Sequence, residues 1–383
     1  MNKTLLIYIL ALGIFGIINT EMGVIGLLPQ ISEQFGVSVS TAGLLVSLFA
    51  LVIAISGPFM PLFFSGINRK KAMLFVLAVF VITNLFSAFS HSFTMLLITR
   101  IIPAFLHPVY FSLAFVAAAS SVSKEHTAKA VSKVFMGVTA GMVLGVPITS
   151  FVADIISLQA ALLFFALVNA IAFIGILLFV PSMPVNEKLS YGKQLSVLKK
   201  PVMWFSMAAA AFILSGMYAV YSFFAEYLDK VTQMSGKEIS AMLVLFGATG
   251  ILGNLVAGRF LSTNAVKTAL VFPFSLGIVY LLMYFIGTLN IPMMIIILVW
   301  GILFTLGLNI SQYWITSAAT DAPDFANGLF VAFGNLGVTI GTFIGGIFIT
   351  NMGTQHVIWG GLLFLVLALL AIVMRTTFYK QSV

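Results

Sequence analysis

The chain has 383 residues, of which 61% are apolar and only 7% are Asp, Glu, Lys or Arg. A soluble domain carries roughly 25% charged residues, so this composition cannot cover a surface in water. It fits a lipid solvent, which penalises charge rather than apolar area. There is no cysteine, which excludes disulfides, thiolate nucleophiles and cysteine-ligated metals.

Apolar stretches of roughly 20 residues cross a bilayer, and they do so as helices because lipid leaves every backbone polar group to be satisfied internally. In chain order the sequence predicts spans at 4–28, 40–62, 72–90, 93–118, 131–153, 159–180, 202–226, 239–261, 268–287, 291–313, 326–349 and 356–374. The first has Lys3 ahead of an apolar run from Leu5 but no A-x-A-type cleavage site, so it reads as an uncleaved helix and not a signal peptide. A barrel would show short alternating segments instead. The fold class is therefore an all-α membrane protein of twelve helices.

The basic residues orient these spans, since Lys and Arg concentrate on the cytoplasmic side. With the N-terminus inside, inner segments hold Lys3, Arg69, Lys70, Lys71, Lys124, Lys129, Lys133, Lys188, Lys193, Lys199, Lys200, Arg259, Lys267, Arg375 and Lys380. Outer loops hold Lys230 and Lys237, and Arg100 lies within a span. This bias places both termini in the cytoplasm and the chain in the cell (inner) membrane. It accounts for the net charge of +8 without a nucleic-acid partner.

The polar segment 181–201, bounded by prolines, divides the spans six and six. Two features recur across it. A basic connection from Pro61, PLFFSGINRKK, is echoed from Gly258 by GRFLSTNAVK, which carries Arg259. Gly141-x-x-x-Gly145 in the fifth span is echoed by Gly337-x-x-x-Gly341-x-x-x-Gly345 in the eleventh. Duplicated halves follow, with a bundle over 1–180, a cytoplasmic linker over 181–201 and a second bundle over 202–383.

Three motifs carry a resemblance to a known family. The loop after the second span keeps the basic pair Arg69 and Lys70 of G-x-x-x-D-R-x-G-R-R, with Pro61, Ser65 and Asn68 at the first Gly, the Asp and the second Gly. The fourth span reads LLITRIIPAF around Arg100, and the fifth reads GMVLGVP from Gly141 to Pro147, its proline one place later than in G-x-x-x-G-P. Together they resemble the twelve-helix drug:proton antiporter branch of the major facilitator superfamily. Asn19-Thr20-Glu21 in the first span, with Arg100 and His107 in the fourth, look most like its sugar, nucleoside and chloramphenicol efflux subgroup. The resemblance implies two pseudo-symmetric six-helix bundles, export by alternating access, and the proton as coupling ion. With Ser65 at the acidic position, the family's gate-locking charge pair does not carry over.

Glu21 is the most informative single residue. A charge at the centre of a membrane helix costs roughly 2.5–3.5 kcal/mol on insertion scales, and such groups mark ion pathways or pair with a cation. Arg100 lies at similar depth, about 10 Å from the outer end of its span at 1.5 Å per residue; the other reading is an arginine snorkelling to outer headgroups. His107, seven residues further on, falls on the same helical face and can relay protons or serve as a hydrogen-bonded core histidine. Pro103 and Pro108 should bend the helix between them.

Candidate substrate contacts are Asn19 and Phe111 in the first half. In the second they are Ser215, Tyr218, Tyr221 and Ser222 on the seventh span, then Trp300, Asn309, Gln312 and Asn335. Tyrosine and tryptophan offer a flat apolar wall with one polar atom, suited to a sugar, base or aromatic drug. Each alone is also ordinary packing. Conformational roles fall to Arg69, Lys70, Gly141, Gly145, Pro147, Gly258 and Arg259. No GxxxxGK[ST] loop occurs, so ATP hydrolysis is not expected, nor is any cofactor or metal. The reading is a monomeric secondary exporter of a small organic molecule by proton antiport. A proton-coupled importer, a channel or receptor, and an intramembrane enzyme are the alternatives.

Overall fold

The computed structural model describes residues 3–123, 126–185, 194–319 and 323–378. Lys124, Lys188, Lys193 and Lys380 lie outside the described residues, as does the middle of the 181–201 linker. The chain divides into two compact units, one of residues 1–35 and 55–190, the other of residues 36–54 and 191–383.

The first unit contains α1 (Lys3–Gly23), a 3-10 turn Val24–Leu27, α2 (Leu28–Phe35), α5 (Met60–Phe64), α6 (Arg69–Ala88), α7 (Phe93–Ala104), α8 (His107–Ser120), α9 (Thr127–Ile155) and α10 (Leu158–Phe179). Polar caps start these helices where the sequence supplies them. Asn68 accepts from the Lys70 and Lys71 amides, Ser92 from Met95, and Ser157 from Ala160, satisfying amides that have no partner within the helix. The fourth span breaks between Ala104 and His107, where Pro108 opens α8; proline lacks the N–H that would continue the hydrogen-bond ladder. The bend expected from Pro103 and Pro108 is thus a break immediately ahead of His107.

Residues 36–54 of the second unit carry α3 (Val39–Ala42) and most of α4 (Leu44–Ser56). The rest of that unit is α11 (Pro201–Tyr221), α12 (Phe224–Lys230), α13 (Gly236–Ile286), α14 (Asn290–Thr316), α15 (Pro323–Met352) and α16 (Val357–Phe378). Helix α13 has 51 residues. At 1.5 Å per residue that is about 77 Å, more than twice a hydrocarbon core of ~30 Å. Its one non-helical residue is Asn264, whose side chain accepts from the Lys267 amide at 2.8 Å and so caps the second half. Two spans meet there almost without a loop. Among the described residues, eleven helices are long and apolar enough to cross a membrane when α13 is counted once, and twelve when it is divided at Asn264.

The surface agrees with this assignment. Large apolar side chains such as Phe63, Leu255, Phe285 and Ile291 are exposed, which water would penalise and acyl chains accept.

The two units repeat one packing device. On α9, Gly137 lies against the Ala11 carbonyl of α1, while a Cβ at Gly141 would stand 2.6 Å from the Ile18 side chain and one at Gly145 2.7 Å from Asn19 Oδ1. On α15, Gly337, Gly341 and Gly345 lie against the backbone of Ala211, Ser215 and Ala219 on α11. The three glycines recur 200 positions on, as do the partners Ala11 and Asn19 at Ala211 and Ala219. Small residues let helix backbones approach closely where lipid supplies no hydrophobic drive between helices.

Candidate functional site

Helix α1 ends at Gly23, and a helix end frees main-chain carbonyls. Two side chains collect them. Arg100 Nη2, from α7, donates to the carbonyls of Thr20 at 2.9 Å and Glu21 at 3.3 Å. Thr149 Oγ1, from α9, donates to Gly23 at 3.0 Å. The Glu21 carboxylate turns to α8, where its Oε2 lies 3.0 Å from His107 Nε2. That distance suits an ion pair or a proton transfer, although the pair is off hydrogen-bond alignment; such bonds commonly tighten only in the working complex. The imidazole stacks on Phe111, centroids 4.3 Å apart.

All three ionisable groups are buried, with Arg100 at 1%, His107 at 2% and Glu21 at 5% exposure. Arg100 does not snorkel. The structure therefore brings Glu21, Arg100, His107 and Phe111 together, with the imidazole as the carboxylate's direct partner and the guanidinium on the adjoining backbone. A carboxylate and an imidazole at this range, enclosed away from water beside a fixed positive charge, can exchange and hold a proton.

Asn19 is fully buried against Gly145, and its amide has no hydrogen-bond partner among the described residues. Pro147 is buried within α9. At the basic connection, Lys70 Nζ donates to the Leu177 carbonyl at 2.9 Å, in the last turn of α10, and the Arg69 amide donates to Met183 at 3.0 Å. A cation at a helix C-terminus is favourable, so this pair staples the start of α6 to the end of α10.

In the second unit the seventh-span candidates separate. Ser215 backs onto Gly341, and Ser222 hydrogen-bonds Thr342 at 2.7 Å, so both meet α15. Tyr221 instead joins an aromatic cluster, stacked on Phe246 at 5.0 Å, 4.7 Å from Phe304 and edge-on to Tyr218 and Trp300. Phe224 adds an edge-on contact to Trp300 at 4.7 Å. Asn309 Nδ2 donates to Asn254 Oδ1 at 3.0 Å and Gln312 Nε2 to Asn327 Oδ1 at 3.4 Å, so α14 is tied by amides to both α13 and α15. Asn335 bonds its own helix at Val331. Gly258 has open space around it, and Arg259 is exposed.

Sequence reasoning passed over a polar group behind the site. Thr20 Oγ1 accepts from Asn84 Nδ2 at 3.1 Å and Asn169 Nδ2 at 3.0 Å, and all three residues are buried. The signal was available: an asparagine in the middle of an apolar span is costly without a partner.

Comparison with known proteins accords with this architecture. The chain is 29% identical to the inner membrane transport protein YdhP of Escherichia coli (strain K12), over 98% of this chain and 96% of that one. It is 25% identical to a probable sugar efflux transporter of Helicobacter pylori (strain P12), over 92% and 90% of the two chains. Among solved structures, an inward-facing, unoccupied bacterial homologue of the human lysosomal transporter Spinster matches with a TM-score of 0.81 at 16% identity, over 99% of this chain and 98% of that one. The nucleoside transporter NupG matches with a TM-score of 0.79 at 14% identity, over 99% and 100%. The model of the Major Facilitator Superfamily matches residues 10–323, and the chain belongs to that superfamily as a membrane transporter rather than an enzyme.

Proposed function

We propose that this transporter exports a small organic molecule (a sugar, a nucleoside or an aromatic drug) in exchange for protons, exposing its site alternately to the two sides of the membrane. The observation that carries the proposal is the buried Glu21–His107 pair at 3.0 Å, with Arg100 fixed on the Glu21 carbonyl. Glu21 takes and releases the proton, Arg100 biases its release, and His107 relays it. No cofactor is needed, because the proton gradient supplies the work. The aromatic cluster around Tyr221 and Trp300 is buried ring against ring, and with the amides of Asn309 and Gln312 it supplies residue types of the kind such substrates match once helices part around them. The chain works as a monomer in the cytoplasmic membrane with both termini inside, as its basic residues are distributed. Export, as against proton-coupled import, is supported by the efflux relative and by the Gly141–Pro147 motif.

The test uses everted membrane vesicles containing the protein, an imposed inside-acid gradient and a radiolabelled panel of sugars, nucleosides and aromatic drugs. At least one compound accumulates inside, and a protonophore abolishes the accumulation. Accumulation that ignores the protonophore, or that needs the opposite gradient, would exclude proton-driven export.

A further inference from the structure

Among the described residues helix α6 makes no hydrogen bond or ion pair to the Glu21 carboxylate or the imidazole of His107, yet it reaches the backbone that the site is built on. Its Asn84 donates to Thr20 Oγ1 at 3.1 Å. One turn on, its Ser87 hydroxyl bonds that of Thr99 at 2.8 Å, and Thr99 precedes Arg100 on α7. From the other side, Asn169 of α10 spreads its amide over Thr20 Oγ1 at 3.0 Å, the Gly16 carbonyl at 3.1 Å and its own Phe165 carbonyl at 2.8 Å. The Thr20 hydroxyl donates to Gly16 at 3.0 Å. One hydroxyl thus takes two amide donors from two helices, while the carbonyl of the same residue takes the Arg100 guanidinium at 2.9 Å.

We infer that Thr20, held by Asn84 and Asn169, is a positioning residue for the proton site: it sets the α1 backbone on which Arg100 docks, and through that the distance from guanidinium charge to Glu21 carboxylate. The inference rests on Glu21 being the proton carrier. Buried polar networks of this kind specify a single geometry because each group left without a partner is costly in a low dielectric. The other charged or titratable groups on the helices around α1 whose side chains are described stand elsewhere. Tyr110 of α8 bonds the Leu10 carbonyl. Lys133 of α9 lies over the Tyr8 ring at 5.7 Å, and Asp154 is in the last turn of α9. Arg69, Lys70 and Lys71 open α6, and α10 carries no charged residue. Arg100 and His107 are therefore the groups whose placement governs Glu21.

Thr20→Val keeps the side-chain shape and removes the acceptor; Thr20→Ser keeps the acceptor. Infrared difference spectra of the purified protein in liposomes, taken against pH, report the protonated carboxyl band, with Glu21→Gln identifying the Glu21 component. In Thr20→Val, Arg100 loses its fixed seat, its charge stabilises the ionised carboxylate less, and the Glu21 band persists to a pH higher by on the order of one unit. Thr20→Ser titrates as the parent does. Asn84→Leu shifts the band in the same direction and carries the test if the valine variant fails to fold. An unchanged titration in the valine and leucine variants overturns the positioning role while leaving Glu21 as carrier. A serine variant shifted as far as the valine variant overturns it too. If the parent shows no Glu21 band at any pH, the carrier reading fails, and this inference fails with it.

Discussion

Glu21→Gln should fold and exchange substrate downhill, yet accumulate nothing against a gradient: the accumulation ratio driven by an imposed pH difference falls to about one, because exchange need not move a proton whereas uphill export must. The amide keeps the size of the carboxyl and can still meet His107, which lies 3.0 Å from Glu21 Oε2, but it is fixed in a neutral state. Glu21→Asp retains part of the activity with a shifted pH optimum, since the acid survives at a different reach. A rival account has Glu21 doing no more than neutralise Arg100. Removing one member of a buried charge pair leaves the other uncompensated, so on that account the double variant Glu21→Gln, Arg100→Gln regains uphill transport. We expect it to stay inactive. Transport in proteoliposomes with and without a pH difference separates these outcomes.

The largest effect on stability should come from the glycines. A Cβ at Gly341 would enter the backbone of Ser215 on α11, whereas one at Gly328, on the same helix α15, meets open space. A rigid backbone neighbour cannot swing aside as a side chain does, so Gly341→Val forces α11 and α15 apart. Overpacking costs about 1–3 kcal/mol and occasionally more. Separating these helices also breaks the Ser222–Thr342 bond at 2.7 Å, so the upper end or beyond is expected. Gly328→Ala is the control and should be neutral or slightly stabilising, alanine being the better helix former by about 1 kcal/mol. Thermal unfolding in detergent monitored by size-exclusion recovery gives both values. Equal stability of the two variants would mean that the glycine stripe does not set this contact.

Much of this architecture was legible because lipid imposes a simple rule. A span must be apolar for roughly 20 residues, and hydropathy shows that directly. The breaks inside spans were harder to see. Pro103 and Pro108 announced the gap between α7 and α8, but nothing comparable announces the 3-10 turn Val24–Leu27, which starts beside the Gly23 carbonyl that Thr149 reaches. The near-continuity of α13 through Asn264 was hidden as well, because a capping asparagine with a lysine nearby also reads as a short loop.

For the site, depth arithmetic placed Glu21 and Arg100 at one level, and the structure puts the guanidinium on the Glu21 carbonyl rather than on its carboxylate. Depth does not fix azimuth, however. The break ahead of His107 lets the imidazole take the carboxylate while Arg100 takes the carbonyls of Thr20 and Glu21. Helical periodicity grouped Ser215, Tyr218 and Ser222, but only packing shows the two serines meeting α15 while the tyrosine joins the rings of α14. Gly137 lay in plain view one turn before Gly141 and completes the stripe that recurs in the second unit. Asn84 and Asn169 could have been found by asking where each buried amide finds its partner.

The central claim is that substrate and proton compete through Glu21. Its most direct measurement is proton release from the purified protein in weakly buffered detergent solution when a transported compound is added, repeated across a range of pH. Release of about one proton per molecule bound, following the fraction of Glu21 protonated beforehand and absent in Glu21→Gln, is the expected result. Equal release from the parent and the Gln variant, or binding with no release at any pH, would contradict it.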